Sequence, residues 1–366
     1  MRFDEVLHTC RESGRLTREE ILFLLERNEK TEIASLLSTA DEVRREYCGD
    51  DVHIRALVEF SNYCRRNCNY CGLRRGNKDL ARYRMPVEEI IDLAVDLDAR
   101  GLKTIVLQSG EDPFYQAGIL ADLVREIKRK TKMAVTLCVG ERPKEEYRIL
   151  YEAGADRYLL RHETASPELY KALHPDSDYG ERMRCISELR EIGFQVGAGC
   201  MVGVPGQSLE HLADDIEFIQ RFQPDMVGIG PFISHPNTPY AGYPNGDLDM
   251  TLKMVALARI VTRDALIPAT TATGSIREDG RELAFKAGAD VVMSNYTPLK
   301  YRTLYEIYPN KRCITEDPAS CHSCMRMRIL SVGRTVASDK GHSRKRDYLK
   351  HSDLKPSLGW CKPENP

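Results

Sequence analysis

Three cysteines, Cys64, Cys68 and Cys71, lie at the spacing C-x3-C-x2-C, directly after a β-like run from His53 to Phe60. A thiolate is a soft ligand, and three thiolates on one short loop suit iron–sulfur chemistry. A cubane cluster usually takes four cysteines, so one iron of a cluster held here would lack a protein ligand. The alternatives are a zinc site, which prefers four ligands when it is structural, and a chance group of cysteines. The polar and basic residues between the first two cysteines favour an anionic assembly over a zinc knuckle.

A second group of cysteines, Cys313, Cys321 and Cys324, has the spacing C-x7-C-x2-C. Three thiolates so close in sequence predict a metal ion or a second cluster, with a structural zinc site or unused thiols as the alternatives. His322 lies between two of these cysteines, where it is either a fourth ligand or a solvent-facing side chain.

The first motif, with the aromatic Tyr70 before its last cysteine, resembles the hallmark of the radical S-adenosylmethionine (SAM) superfamily. Within that superfamily, longer runs of the chain are similar to maturases of the FeFe-hydrogenase active site. These runs are residues 53–75, 104–113, 153–164 and 227–232. The resemblance implies a 4Fe-4S cluster whose open iron binds the amino and carboxylate groups of SAM. The reduced cluster would then cleave SAM and release a 5′-deoxyadenosyl radical.

The same resemblance implies roles for individual residues. The residues that it places against SAM are Tyr70, Gly110, Glu111, Cys138, Glu163 and Arg182. Glu163 would meet the ribose, Arg182 the carboxylate, and a backbone carbonyl near Gly110 the amino group. Ser109 stands where the superfamily has the first glycine of Gly-Gly-Glu, a departure that a main-chain contact tolerates. The candidate substrate contacts are Gln108, Thr136, Arg161, Thr271 and Tyr305.

Partners and further cofactors also follow from the resemblance. The implied substrate is a small iron complex, an iron–carbonyl–cyanide–cysteine precursor made by a tyrosine-cleaving partner maturase. The product would go toward the dinuclear iron subcluster of the hydrogenase by way of a scaffold maturase, and an electron donor would feed the cluster. Members of the family can carry an accessory cluster, often 2Fe-2S, at cysteines that match Cys313, Cys321 and Cys324.

Strand-like and helix-like segments alternate from His53 onward, which predicts an α/β fold. The strand candidates are His53–Phe60, Thr104–Gln108, Ala134–Val139, Arg157–His162, Gln195–Val202, Met226–Phe232, Pro268–Ala272 and Asp290–Ser294. Eight βα units of this size predict a complete (β/α)8 TIM barrel over residues 51–300. An open doubly wound sheet is the alternative, and the lack of a glycine-rich fingerprint after the first strand weakens it.

Barrel active sites lie at the C-terminal ends of the strands, which explains why the chemistry-bearing residues follow strand candidates. Strand alternation places Arg161 and Glu163 on one face of the fourth strand, where they are either ligand contacts or a structural ion pair. The third strand places Thr136 and Cys138 on one face in the same way. Thr271 stands in a hydroxyl-rich run at the end of the seventh strand. We interpret His162 and His174 as structural.

The two ends of the chain differ from its middle. Residues 1–50 predict a helical layer, with capping-box patterns that begin at Thr17 and Thr39. Residues 301–338 form a C-terminal segment with the second cysteine group. Residues 339–366 are locally basic and poor in apolar residues, which predicts a flexible tail or a loosely docked strap.

The formal charge of −2, from 53 basic and 55 acidic residues, gives no global field for nucleic acid or anionic membranes. No apolar run approaches the ~20 residues that span a bilayer, and the N-terminus lacks the layout of a signal peptide. Twelve cysteines in such a chain predict thiolates and clusters in a reducing compartment, hence a cytoplasmic protein.

Two rival hypotheses stay open. A sister enzyme with the same barrel would act on an organic substrate, as biotin synthase and methylornithine synthase do, and it would differ only in the cavity. An iron–sulfur electron carrier or cluster scaffold would be non-catalytic, but such a protein does not need an eight-unit barrel with a SAM pocket.

Overall fold

The computed structural model describes residues 1–312, 314 and 318–345, with the backbone alone for 318–321. The strands are β1 Asp51–Ser61, β2 Thr104–Ser109, β3 Ala134–Cys138, β4 Arg157–Leu159, β5 Gln195–Ala198, β6 Met201–Val202, β7 Met226–Val227, β8 Gly230–Pro231, β9 Val291–Asn295 and β10 Thr335–Val336. The helices are α1 Phe3–Ser13, α2 Arg18–Leu25, α3 Lys30–Cys48, α4 Val87–Ala99, α5 Ala117–Lys130, α6 Lys144–Glu152, α7 Pro167–Leu173, α8 Tyr179–Ile192, α9 Leu209–Phe222, α10 Leu248–Thr262, α11 Thr271–Ile276, α12 Gly280–Lys286, α13 Leu299–Arg302 and α14 Pro318–Ser331.

Seven parallel strands form a curled sheet in the order β9-β1-β2-β3-β4-β5-β7. β1 is buried along its whole length after its first residue, as expected of a parallel strand that is covered on both faces. In α5, the buried residues recur at helical spacing and give the helix one apolar face toward the sheet. The fold is therefore a parallel α/β half-barrel of the TIM type.

The seventh strand candidate, Pro268–Ala272, is not a strand in the structure. Only single bridges, Met226 with Leu266 and Pro268 with Val291, join the seventh segment to its neighbours. The expected strand Pro268–Ala272 is wrong, because the Thr270 side chain accepts the N–H of Thr273 and starts helix α11. The expectation of a complete barrel is thus met in part.

Two longer strand candidates are each divided by a glycine. Residues 195–202 form β5 and β6, with Gly199 between them at a φ of +147°. Residues 226–232 form β7 and β8, with Gly228 between them. A Cβ on Gly199 would lie 2.0 Å from the carbonyl oxygen of Gly228, so the two chains approach too closely for any side chain there. β6 and β8 then pair as a separate two-stranded sheet.

The N-terminal helices pack on α10, which explains why nearly all of α10 is buried. The capping box at Thr17 is confirmed: its side chain accepts the N–H of Glu20, and the Glu20 carboxylate accepts the N–H of Thr17. The second capping signal is wrong, because α3 runs unbroken through Thr39. Among the described residues, no helix combines the length and the apolar content that a membrane span requires.

The segment 339–345 lies under the N-terminal ends of the strands, at the bottom of the barrel. His53 Nε2 is 3.0 Å from Asp339 Oδ1. Arg157 donates hydrogen bonds of 2.7 and 2.8 Å to the carbonyl oxygens of Lys340 and Gly341. The start of the expected tail is therefore a docked strap, while residues 346–366 lie outside the described residues.

Candidate active site around the three-cysteine loop

The loop with Cys64, Cys68 and Cys71 follows β1 at the top of the barrel, where the C-terminal ends of the strands lie. All three cysteines are partly buried. A single tetrahedral ion with metal–sulfur bonds of about 2.3 Å would hold its sulfurs roughly 3.8 Å apart. The three sulfur atoms of this loop, all of them in the described part of the chain, do not all lie within 4.8 Å of one another. The loop is more open than one ion requires, which fits a multi-iron cluster.

The acidity of the thiols gives a second test of the donor set. Burial raises the pKa of Cys71 to about 12, and the charge of Cys64 adds to the rise. The pKa of Cys68 is raised in the same way, first by burial and then by Cys71 and Cys64. Three thiolates therefore coexist here only with a cationic centre between them, and the residues fit an iron–sulfur cluster.

Two glycines allow the neighbouring loops to approach the cysteine loop closely. A Cβ on Gly110 would lie 2.3 Å from the Tyr63 carbonyl oxygen, and one on Gly72 would lie 2.1 Å from that of Glu306. The carbonyl of Gly110 accepts the Ser109 hydroxyl at 2.7 Å. The same oxygen accepts the backbone N–H of Asp112 at 2.8 Å, so both of its lone pairs are used and the turn after β2 is fixed beside the cysteine loop.

A chain of ion pairs connects the cysteine loop to α8. Arg65 Nε and Arg66 Nε lie 3.0 and 2.6 Å from Glu111 Oε2. Arg66 also pairs with Glu141, and Glu141 Oε1 lies 2.6 Å from Arg182 Nε. The sequence analysis did not single out Glu141. Its position just after β3, at the C-terminal end of the strands, would have indicated a place in the site. Its carboxylate fixes the arginines of two distant segments.

Arg161 and Glu163 form an ion pair at the top of the barrel, with Arg161 Nε 3.1 Å from Glu163 Oε2. Burial alone would raise the pKa of Glu163, but the charge and hydrogen bonds of Arg161 outweigh it and lower that pKa. Glu163 has a φ of +68°, in the left-handed region. The two side chains lie together and the carboxylate is ionised, but β4 ends at Leu159, short of the expected His162, so strand alternation is not what brings them together.

Tyr70 links the cysteine loop to this ion pair. Burial raises the pKa of Tyr70, and the nearby charges of Glu163 and Cys68 add to the rise. The Tyr70 hydroxyl lies 3.1 Å from His174 Nε2. Burial lowers the pKa of His174 to about 4, with Arg182 as the next cause, so this imidazole is neutral at pH 7.

The expected substrate contacts fall into two groups. Gln108 Nε2 donates to the Tyr305 hydroxyl at 3.2 Å, and both lie beside the barrel interior. Cys138 pairs with Gln108 in the β2–β3 register. Burial raises the pKa of Cys138 to about 12, with Arg161 as the largest opposing charge, so Arg161 is also close.

Thr136 and Thr271 differ in their surroundings. The Thr136 hydroxyl is buried without a hydrogen-bond partner among the described residues. Thr271, by contrast, accepts a hydrogen bond of 2.9 Å from Arg281 and lies on a helix instead of a strand end. Thr136 is thus free to meet a ligand, whereas Thr271 is already engaged.

A second set of interior residues was missed. Glu59 on β1 is fully buried and accepts a hydrogen bond of 2.8 Å from Asn295 Nδ2. Lys311 pairs with the other oxygen of Glu59, and its Nζ lies 5.2 Å from the ring centre of Tyr305. The available signal was an acidic residue inside the otherwise apolar second half of the first strand.

The second cysteine group is only partly visible. Cys313 and the side chain of Cys321 lie outside the described residues, and Cys324 is exposed on α14. His322 Nδ1 lies 2.6 Å from the Tyr296 hydroxyl. A cluster at these cysteines stays a prediction.

Comparison with known proteins gives the class first. The model of the Radical SAM superfamily matches residues 58–219. The crystal structure of methylornithine synthase superposes with a TM-score of 0.81 at 25% identity, over 94% of this chain and 99% of that chain. The 3-methylornithine synthase of Methanosarcina barkeri is 28% identical over 81% of this chain and 84% of its own length. The fold and the site therefore define a radical SAM enzyme, a class that uses a 4Fe-4S cluster and SAM.

A narrower relationship comes from one relative. The [FeFe] hydrogenase maturase subunit HydE of Thermotoga maritima is 52% identical over 92% of this chain and 96% of its own length. The chain belongs to the HydE family of radical SAM enzymes.

Proposed function

We propose that Cys64, Cys68 and Cys71 hold a 4Fe-4S cluster with one open iron, where SAM binds. The observation that carries this proposal is the open loop of three thiols facing the charged pairs of Glu163 and Arg182. When bound, the cluster supplies the electron that cleaves SAM to methionine and a 5′-deoxyadenosyl radical. The protein contributes orientation, charge and the exclusion of water.

The charged groups of SAM have matching partners. Arg182 is held by Glu141 and by a hydrogen bond of 2.5 Å to the Arg161 carbonyl, so its guanidinium is already oriented for a carboxylate. The ionised Glu163 accepts hydrogen bonds from the ribose hydroxyls. The Gly110 carbonyl accepts one from the amino group once the Ser109 hydroxyl, which now donates to that oxygen, turns away.

The remaining SAM contacts close the site around the cofactor. Glu111 aligns the two arginines of the cysteine loop, and Tyr70 packs between this loop and Glu163. Cys138 is a small contact beside Arg161. Cys138 lies on β3 opposite Gln108 of β2 and not on the cysteine loop, so it serves as a packing residue and not as a fourth thiolate ligand.

The substrate is an iron–carbonyl–cyanide–cysteine precursor, bound in the barrel interior below SAM. Support comes from the unpaired Thr136 hydroxyl, the Gln108–Tyr305 pair and the cationic Arg161. These groups suit a small anionic complex with a carboxylate. Thr271 takes part only if Arg281 releases it. A tyrosine-cleaving maturase supplies this precursor, and a scaffold maturase receives the product.

A second candidate function is suggested by the methylornithine synthase structure, which superposes with a TM-score of 0.81. Such a sister enzyme would act on an organic substrate in the same barrel. The buried Glu59–Lys311 pair shows that this interior accepts paired charges, which an amino acid also has. The two functions therefore differ in the substrate and not in the SAM chemistry.

Other features complete the proposal. We infer that the segment from Leu266 to Pro268 stands in for the missing strand of the barrel; the support is its single bridges to Met226 and Val291. Cys313, Cys321 and Cys324 hold an accessory 2Fe-2S cluster that the radical step does not need. A chain with so many thiols acts in a reducing compartment, the cytoplasm, where an electron donor reduces the first cluster.

The test is an anaerobic assay of SAM cleavage by the reduced, cluster-loaded protein. Adding the iron product of the partner maturase should increase 5′-deoxyadenosine formation and yield a changed iron complex. Stimulation by an organic amino acid alone would favour the second function. No 5′-deoxyadenosine above the enzyme-free control would contradict both.

A further inference from the structure

A buried histidine–aspartate pair lies directly behind Glu163. His162 Nε2 is 3.2 Å from Asp215 Oδ1 on α9, and both side chains have no exposed surface. The same Asp215 oxygen accepts the backbone N–H of Ala165 at 2.6 Å. The ring of Phe218 packs on the imidazole with ring centres 4.4 Å apart. The pair has no access to solvent, so it acts only through the residues it contacts.

The hydrogen bonds fix the protonation of this histidine. His162 Nδ1 accepts the backbone N–H of Gly199 at 3.2 Å, so Nδ1 carries no proton. His162 is therefore the neutral Nε2–H tautomer and donates to Asp215. The Cys200 sulfur lies within 4.8 Å of the ligand atoms of these two side chains, a spacing that a metal ion could bridge. A metal on Nε2 would displace the proton there, and since Nδ1 carries none either, the ring would have to be an imidazolate. The group is a hydrogen-bond network and not a metal site.

The network surrounds a strained backbone position. The φ of +68° at Glu163 is in the left-handed region, which residues with a side chain rarely adopt. The Glu163 N–H donates to the Gly199 carbonyl at 3.0 Å, and its carbonyl accepts the Met201 N–H at 3.1 Å. His162 holds the N–H of the same Gly199. The conformation of Glu163 thus depends on the position of Gly199.

We propose that His162 and Asp215 are positioning residues that hold the Glu163 carboxylate in its SAM-binding orientation. This inference rests on the proposed contact between Glu163 and the ribose. Asp215 fixes the turn at both ends, through His162 before Glu163 and through Ala165 after it. Gly199 is held from both sides, by the imidazole and by the Glu163 N–H. Removing Asp215 therefore releases Glu163 without touching SAM.

The experiment compares two substitutions of Asp215 by anaerobic calorimetry of SAM binding to the cluster-loaded protein. Asp215→Asn keeps an oxygen that accepts from His162 and Ala165, so affinity should stay within about threefold of the wild type. Asp215→Leu keeps the volume but accepts nothing, and affinity should fall by about tenfold or more. Equal affinity of Asp215→Leu and the wild type would overturn the proposal.

A double-mutant cycle with Glu163→Gln separates positioning from general structural damage. If Asp215 acts through Glu163, the combined Asp215→Leu and Glu163→Gln protein binds SAM within about twofold of Glu163→Gln alone. Losses that simply add would overturn the proposal. Asp339→Asn, which alters the His53–Asp339 pair at the opposite end of the barrel, is the control and should leave SAM affinity unchanged.

Further variants keep the outcomes distinct. Should Asp215→Leu fail to fold, His162→Gln replaces it: the amide still reaches Asp215 but leaves the Gly199 N–H without its acceptor, so affinity should again fall about tenfold. Normal SAM affinity in Glu163→Gln would reject the ribose contact itself. Weakened binding in Glu163→Gln with normal binding in both Asp215→Leu and His162→Gln would reject only the positioning role. If the wild type held a stoichiometric non-iron metal and Asp215→Leu lost it, the positioning role would also be rejected.

Discussion

Arg161 and Arg182 at the top of the barrel and Arg157 at its bottom are all largely buried, but their charges are neutralised in different ways. At the top, carboxylates pair with the guanidiniums, as in Arg161 with Glu163 and Arg182 with Glu141. At the bottom, Arg157 has no carboxylate partner among the described residues: its guanidinium donates to backbone carbonyls of the strap 339–345. Burial lowers the pKa of Arg157 to about 10, with Asp156 as the largest opposing charge. At Arg161, burial also lowers the pKa, but Glu163 outweighs it and the net shift is upward.

This difference separates a binding end from a structural end. A side-chain carboxylate rotates, and a zwitterion such as SAM offers charges that replace one ion-pair partner with another. Backbone carbonyls in a docked strap cannot move without undocking the chain. The top of the barrel is therefore built for exchange with ligands, and the bottom is built to close the barrel.

The largest expected effect concerns the cysteines at the top. Cys68→Ser removes one of three cluster ligands, so 5′-deoxyadenosine formation should fall to the enzyme-free level. The matched control is the triple substitution of the second group, Cys313, Cys321 and Cys324, to serine. It should lower bound iron and leave SAM cleavage largely intact. If the triple variant stopped cleavage while the first cluster stayed loaded, the accessory role would be wrong.

Glu163→Gln tests whether the top ion pair serves a ligand. Charge-assisted hydrogen bonds to the ribose contribute roughly 1.5–3 kcal/mol, so SAM affinity should fall by about 10- to 100-fold. The melting temperature should change little, because the glutamine still fits the same space. Affinity is measured by calorimetry next to a melting curve. A large loss of stability with unchanged affinity would show that the pair is structural.

Arg157→Met is the corresponding test at the bottom. Methionine fills the apolar part of the site but leaves the strap carbonyls without donors, which costs roughly 1–3 kcal/mol of unfolding free energy. SAM affinity should stay unchanged, because the change lies at the end away from the cysteine loop. Denaturant unfolding and calorimetry measure the two quantities. A parallel loss of SAM affinity would contradict the division between the two ends.

The sequence predicted those parts of the site whose residues lie close together in the chain. The cysteine spacing, the glycine loop at Gly110 and the proximity of Arg161 to Glu163 all involve residues that are near in the chain, although the strand face expected for Arg161 and Glu163 is wrong because β4 ends at Leu159. Parallel strands buried on both faces also leave a clear apolar signal, and this is why most strand positions are correct. The seventh strand was wrong because Thr270 caps a helix there, and hydroxyl residues suit both interpretations.

The missed residues act across long separations. Glu141 pairs with Arg66, which lies 75 positions earlier, and Lys311 pairs with Glu59, which lies 252 positions earlier. No spacing rule connects such residues, because the curvature of the sheet brings them together. Asp215 was missed for a further reason, because an acidic residue on an amphipathic helix is usually exposed. Sequence thus predicts the candidate ligands better than the residues that hold them in place.

The smallest expected effect tests a top carboxylate that does not face the ligand. Asp112 has no exposed side-chain surface, and its oxygens lie 2.7 and 2.9 Å from Arg84 Nε and NH2. Burial would raise the pKa of Asp112, but the hydrogen bonds from Arg84 and Ser61 outweigh it and the net shift is downward. The folded pKa is below the unfolded value of about 3.9, so the stabilisation is complete above that value and is lost as the pH falls through the folded pKa.

Asp112→Asn should therefore lower the unfolding free energy at pH 7 by about 1 kcal/mol, a small value because solvent screens the partly exposed Arg84. The difference from the wild type should shrink as the pH falls below 4 and vanish below the folded pKa of Asp112, where both side chains are neutral. Urea unfolding of cluster-free protein at several pH values measures this difference in unfolding free energy. The SAM affinity of the cluster-loaded protein should stay within about twofold of the wild type, because the Asp112–Arg84 pair holds the loop and does not meet the ligand. A difference that grew on acidification would mean that Asp112 is protonated in the folded protein. In that case the carboxylates at the top would not all be charged partners of arginine.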